Sequence, residues 1–70
     1  MRYAIVIEPT AHGWSAYVPD LPGCIAAARY KAKVRLLIAK GMALHLEGLR
    51  EDGEPVPLPS SVVGYVEVGA

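Results

Sequence analysis

An α+β fold with antiparallel strands, ordered strand, strand, strand, helix, strand, is what the sequence predicts, and three observations carry it. Residues 2–8 and 14–18 alternate their apolar side chains on either side of a short loop that ends in Gly13, the pattern of an antiparallel hairpin. From Tyr30 to Arg50 the apolar spacing switches to three and four residues, which is the helical period. Ser61 to Val68 then returns to a valine-rich, strand-like run.

In the first run, Tyr3, Ile5 and Ile7 share one face, with Ala4 and Val6 on the other. Pro9-Thr10-Ala11-His12-Gly13 breaks it as a loop. In the second, Trp14, Ala16 and Val18 oppose Ser15 and Tyr17. Pro19-Asp20-Leu21-Pro22-Gly23 comes next; its prolines lack the amide donor a central strand needs, and Asp20 is suited to capping its own turn. A short third strand is expected from Cys24 to about Ala27.

Val34, Leu37, Ile38, Met42, His45, Leu46 and Leu49 form the core face of the predicted helix. Gly41 and Gly48 interrupt it at about 1 kcal/mol each relative to Ala, which reads as close packing against the sheet. Glu51-Asp52-Gly53 supplies the stop, with Gly53 in the left-handed position. Pro55, Pro57 and Pro59 make a stiff connector. The final run is expected to join the sheet, with the helix packed on one face and residues 1–70 forming one domain.

Composition narrows the function. The chain has 70 residues, 53% of them hydrophobic, and a single cysteine. A core this small rarely contributes more than about 3–5 kcal/mol net, and no internal disulfide can supplement it. The soft ligands Cys24, His12 and His45 form no metal-binding spacing. Neither metal nor cofactor is implied, and self-association is the expected supplement.

There is no 18-residue apolar run and no signal-peptide pattern. With a lone thiol, this points to the reducing cytoplasm. Zero net charge argues against strong nucleic-acid binding.

Charge is nonetheless segregated. Arg29, Lys31, Lys33, Arg35 and Lys40 stand in a stretch without acids, while Glu47, Glu51, Asp52 and Glu54 cluster near the helix end. The basic stretch could give weak, salt-dependent phosphate contact, but no aromatic stacking platform accompanies it. Catalysis is not expected. Cys24 and His45 have no third group to orient them, Glu8 and Asp20 lack a third acid for two-metal chemistry, and no phosphate loop or nucleophile elbow occurs.

Gly13-Trp14-Ser15-Ala16-Tyr17-Val18-Pro19-Asp20-Leu21-Pro22-Gly23-Cys24 resembles the signature of the HicB-like antitoxin family. His45-Leu46-Glu47-Gly48-Leu49 and Glu51 to Pro57 resemble the helix end and connector of that family. The resemblance covers essentially the whole chain. It implies a partial ribonuclease-H-like sheet with one helix, and a role in neutralising a small, basic, mRNA-cleaving HicA-type toxin. Asp20, Glu47, Glu51, Asp52 and Glu54 are the candidate toxin-facing acids. Longer members carry a C-terminal DNA-binding segment, which is not expected in a chain that ends at Ala70.

The helix start departs from the family pattern. A capping Thr followed by acids is usual there, whereas this chain has Ala28-Arg29-Tyr30-Lys31-Ala32-Lys33-Val34. The missing cap forgoes about 0.5–2 kcal/mol, and lysines face the positive end of the helix dipole. Leu36 falls on the solvent side near Ala32, Ala39 and Ala43. Tyr30, Ala32, Lys33, Leu36, Ala39, Lys40 and Ala43 are therefore the candidate surface for a homo-oligomer. Under this alternative the chain is a self-assembling structural protein without a toxin partner, whether the helix surface is natural or redesigned.

Overall fold

The computed structural model describes residues 1–69. Three strands form an antiparallel sheet in chain order: β1 (Val6–Pro9), β2 (Trp14–Tyr17) and β3 (Ile25–Ala28), followed by helix α1 (Lys31–Glu51). The α+β class expected from the alternation and the helical period is the one observed.

Register explains how so thin a sheet makes a core. Ile7 pairs with Ala16 and Ala16 with Ala26, while Pro9 pairs with Trp14 and Trp14 with Ala28. Alternate residues point to one face, so this face carries Ala16, Ala26 and Ala28 beside Ile7, Pro9 and Trp14. The helix packs there. Val34 and Ile38, one turn apart, are fully buried, and Met42 and Leu46 extend the same stripe. Tyr3, Ala16, Val18, Leu21 and Cys24 complete the buried cluster. Each large side chain fully buried here contributes about 1.5–3 kcal/mol.

Two consecutive β-turns connect β2 to β3. The Leu21 amide donates to the Val18 carbonyl at 3.1 Å, and the Cys24 amide to the Leu21 carbonyl at 3.1 Å. Pro19 and Pro22 each take the second position, where the ring fixes φ as the turn needs. Gly23 sits at φ 84°, which makes the second turn type II. The Val18 amide closes the pair by donating to the Cys24 carbonyl at 3.2 Å. Leu21, at the hinge of both turns, is completely buried.

The helix starts poorly and ends well. Tyr30 precedes it with no side-chain cap, and its first turn holds no acid. One compensation is visible: the Lys31 ammonium lies 5.2 Å from the centre of the Trp14 ring, a cation–π contact worth about 0.5–1 kcal/mol at an exposed site. At the far end Glu54 donates its amide to the Leu49 carbonyl at 2.8 Å, and Gly53 to Arg50 at 3.2 Å. With Gly53 at φ 68°, this is a Schellman cap.

Several expectations are corrected. β1 begins at Val6, and Pro9 closes the strand where it was expected to break it. An edge strand tolerates proline because one side of its backbone has no partner to lose. Cys24 ends the turn, and β3 starts at Ile25.

The fifth element is absent from the sheet. Ser61 to Val68 pairs with no strand among the described residues, and all of its residues are exposed.

The two helix glycines are not forced by packing. A methyl group at Gly48 would meet nothing within 4 Å, and one at Gly41 would only touch the Cys24 sulfur at 4.0 Å. The demanding glycine is Gly13. A Cβ there would collide with the Ala28 carbonyl oxygen and stand 2.8 Å from the Arg29 Cα. The β1–β2 loop thus packs backbone to backbone against the exit of β3.

Two substitutions of the same chemistry therefore move stability in opposite directions. Gly13→Ala destabilises by about 1–3 kcal/mol through overpacking. Gly48→Ala stabilises by up to about 1 kcal/mol through helix propensity. Thermal melts followed by circular dichroism check both, and a drop in Tm for Gly48→Ala would contradict the open space at that position.

Candidate functional site

The Pro19–Gly23 double turn aims its two middle residues in opposite directions. Leu21 goes into the core, and Asp20 faces outward toward the end of the proline-rich connector. Asp20 Oδ2 accepts the backbone amides of Ser60 and Ser61 at 2.9 and 3.0 Å. Asp20 Oδ1 accepts their hydroxyls at 3.1 and 2.8 Å. Four hydrogen bonds on one carboxylate hold its pKa down to about 2 from an ordinary 3.8, the Ser61 amide contributing most and the Ser60 amide next.

Asp20 therefore caps a segment forty residues away, and not its own turn as the sequence suggests. Both of its oxygens are engaged, so it is the least available of the five candidate toxin-facing acids. A second tie accompanies it. The buried Tyr3 donates its hydroxyl to the Pro57 carbonyl, pinning the connector against the start of the chain.

Glu47, Glu51, Asp52 and Glu54 are all exposed. They lie on the last two turns of α1, at its cap and just beyond it, so an acidic surface forms at that end of the helix. Arg50 is the basic residue of that last turn. The opposite half of the helix carries Lys31, Lys33, Arg35 and Lys40, also exposed. Charge segregation along the chain has become segregation along the helix.

Every residue of the candidate oligomer patch is likewise exposed: Tyr30, Ala32, Lys33, Leu36, Ala39, Lys40 and Ala43. Leu36 shows 61% of its surface to solvent. The helix thus has a core stripe through Val34, Ile38, Met42 and Leu46, and an alanine-rich outer surface on which Leu36 and Leu44 are exposed.

The imagined nucleophile has no reactive setting. Cys24 is buried, and desolvation pushes its thiol pKa up, away from the thiolate form. Among the described residues no three His, Cys, Asp or Glu side chains converge as metal ligands, and no helix is long and apolar enough to cross a membrane.

Sequence reasoning missed Ser60 and Ser61 as partners of Asp20, and it missed the exposure of residues 62–68. The available signal was the paired serines after three spaced prolines, an arrangement rich in donors. Nothing local connects them to residue 20.

The Asp20 anchor makes a pH prediction. A group whose folded pKa lies below its ordinary value stabilises fully above that value and loses its contribution as the pH falls through the folded one. The Ser60 and Ser61 amide resonances should accordingly shift with a midpoint near 2. A midpoint at the ordinary 3.8 would show that the anchor is not formed.

Comparison with known proteins gives a consistent picture. The family model described as HicB_like antitoxin of bacterial toxin-antitoxin system matches residues 3–68. An uncharacterized 14.9 kDa protein in the rep-hol intergenic region of Haemophilus phage HP1 (strain HP1c1) is 33% identical over 66 residues, covering 94% of this chain and 50% of that protein. The chain thus spans about half the length of that curated relative. Among solved structures, a chain of the HicA3 and HicB3 toxin-antitoxin complex superposes with a TM-score of 0.73 at 33% identity, covering 84% of this chain and 70% of that one. The chain belongs to the HicB-like antitoxin family of bacterial toxin–antitoxin systems.

Proposed function

We propose that residues 1–70 act as one HicB-like domain that binds and neutralises a small, basic, mRNA-cleaving HicA-type toxin without catalysing a reaction itself. The observation that carries this reading is the likeness, in both sequence and fold, to a chain of a toxin–antitoxin complex.

Physical features support it. A toxin that cleaves RNA presents positive charge to phosphate, and the exposed Glu47, Glu51, Asp52 and Glu54 offer the complementary sign. Because these acids sit on a well-capped helix end, their positions are set before binding, which limits the ordering cost of association. The buried, high-pKa Cys24 offers no nucleophile. A reducing cytoplasm suits that free thiol.

Co-expression with a HicA-type toxin tests the proposal: growth is restored and the two proteins co-purify. Double charge reversal, Glu47→Lys with Glu51→Lys, leaves the helix intact and weakens toxin binding roughly tenfold at low salt, less at high salt. Titration calorimetry at two ionic strengths reads this directly. Unaltered affinity would remove these acids from the interface.

Self-assembly through the helix face, without a toxin, is the second reading, and the exposed Leu36 among Ala32, Ala39 and Ala43 favours it. Under that reading Leu36→Glu lowers the mass measured by light scattering to that of one chain.

A further inference from the structure

The outer face of α1 sorts its charges by sign. At about 100° per residue, Lys33, Leu36, Lys40, Leu44, Glu47 and Glu51 fall within an arc of about 80°. That arc lies opposite the core stripe through Val34, Ile38, Met42 and Leu46. All six residues are exposed, and Leu36 and Leu44 show 61 and 69% of their surfaces. Both lysines precede both acids, with the two leucines set among them.

These charges are wrong for their own helix. The first turn has no acid and no side-chain cap, and Lys33 stands near its positive end, where cations are unfavourable. Glu47 and Glu51 stand in the last two turns, near the negative end. Arg50 is the basic residue of the last turn, but it lies about 80° from the centre of the stripe. Beside an antiparallel neighbour the same charges are right, because each basic half meets the acidic half of the other helix. A parallel neighbour sets lysine on lysine and acid on acid.

We propose that α1 pairs antiparallel with α1 of a second copy of this chain through this stripe. Reversing the stripe on itself brings Lys33 of one copy between Glu47 and Glu51 of the other, and Leu36 beside Leu44. The two Lys40 side chains fall near the two-fold axis, where their long stems carry the ammonium groups outward. Since Leu36 meets Leu44 twice, the contact is self-complementary and closes as a two-fold pair. The leucines supply apolar area removed from water, and the sorted charges set the direction. This deepens the self-assembly reading above and rests on it. It also adds a consequence: a copy paired in this way withholds Glu47 and Glu51 from a toxin.

The test uses the 70-residue chain and two charge variants. Lys33→Glu with Lys40→Glu makes the stripe wholly acidic, and Glu47→Lys with Glu51→Lys makes it wholly basic. Both improve the match to the helix dipole, so each should keep its helical spectrum. Light scattering on each variant alone should give half the mass of the unaltered protein, and an equal mixture of the two should restore it. Leu36→Cys protein mixed with Leu44→Cys protein should oxidise in air to a mixed disulfide several times faster than either alone. Cys24, buried with its thiol pKa raised, stays silent.

A single-chain mass for the unaltered protein would overturn the proposal, as would an unchanged mass in both charge variants. So would variants that separate alone and fail to associate when mixed, or Leu36→Cys protein that links to itself faster than to Leu44→Cys. These measurements involve no toxin, so they separate failure of the pairing from failure of the antitoxin reading. Lys33→Glu with Lys40→Glu keeps the acids at the helix end, and it should bind a HicA-type toxin at least as tightly as the unaltered chain. Loss of toxin binding in that variant, with no change of mass, would assign the stripe to the toxin and overturn the pairing.

Discussion

The Pro19–Gly23 double turn is the constraint on which the rest of this structure depends. It reverses the chain between β2 and β3 with two proline-set φ values and one left-handed φ at Gly23. It places Leu21 where sheet and helix meet, with no exposed surface. It also leaves Asp20 facing outward, where it collects four hydrogen bonds from Ser60 and Ser61. One short loop therefore closes the sheet, seeds the core and fixes the exit of the C-terminal segment. Its unusual sequence follows from having to do all three.

The helix shows how tertiary contact outweighs local preference. Its first turn has no cap and the wrong charge for the dipole, which would leave an isolated peptide frayed. Burial of Val34 and Ile38 on an alanine-lined sheet contributes several times more than the missing cap removes. The Schellman cap at Gly53 holds the other end. Positive charge at the start and acids at the finish then produce a dipolar surface, the acidic end of which suits a basic partner.

Membership of the HicB-like antitoxin family accounts for the features that motif and fold share, since the matching region runs over residues 3–68. The outer helix stripe and the tail after Ser61 both lie within that matching region. Both are apolar surfaces, yet they differ in kind. Beyond its uncapped first turn, the helix stripe has its backbone hydrogen bonds satisfied within the helix, so its exposure costs little. The tail has no backbone hydrogen bond to the domain among the described residues beyond Ser61, so its exposure is the larger physical imbalance.

The sequence by itself determined the three strands, the single long helix, its core face and its glycine stop, because alternation, helical spacing and turn chemistry are local signals. It also determined the family, because the turn motif is specific. Tertiary structure alone decided three things. Gly13, read locally as a loop glycine, is required by the backbone of Ala28 and Arg29. Gly41 and Gly48, read as packing glycines, face open or ordinary space. Asp20 binds Ser60 and Ser61 and not its own turn, and the valine-rich run behind them lies outside the sheet. Each depends on groups brought together from distant parts of the chain, and strand propensity records a preference for pairing without naming the strand that answers it.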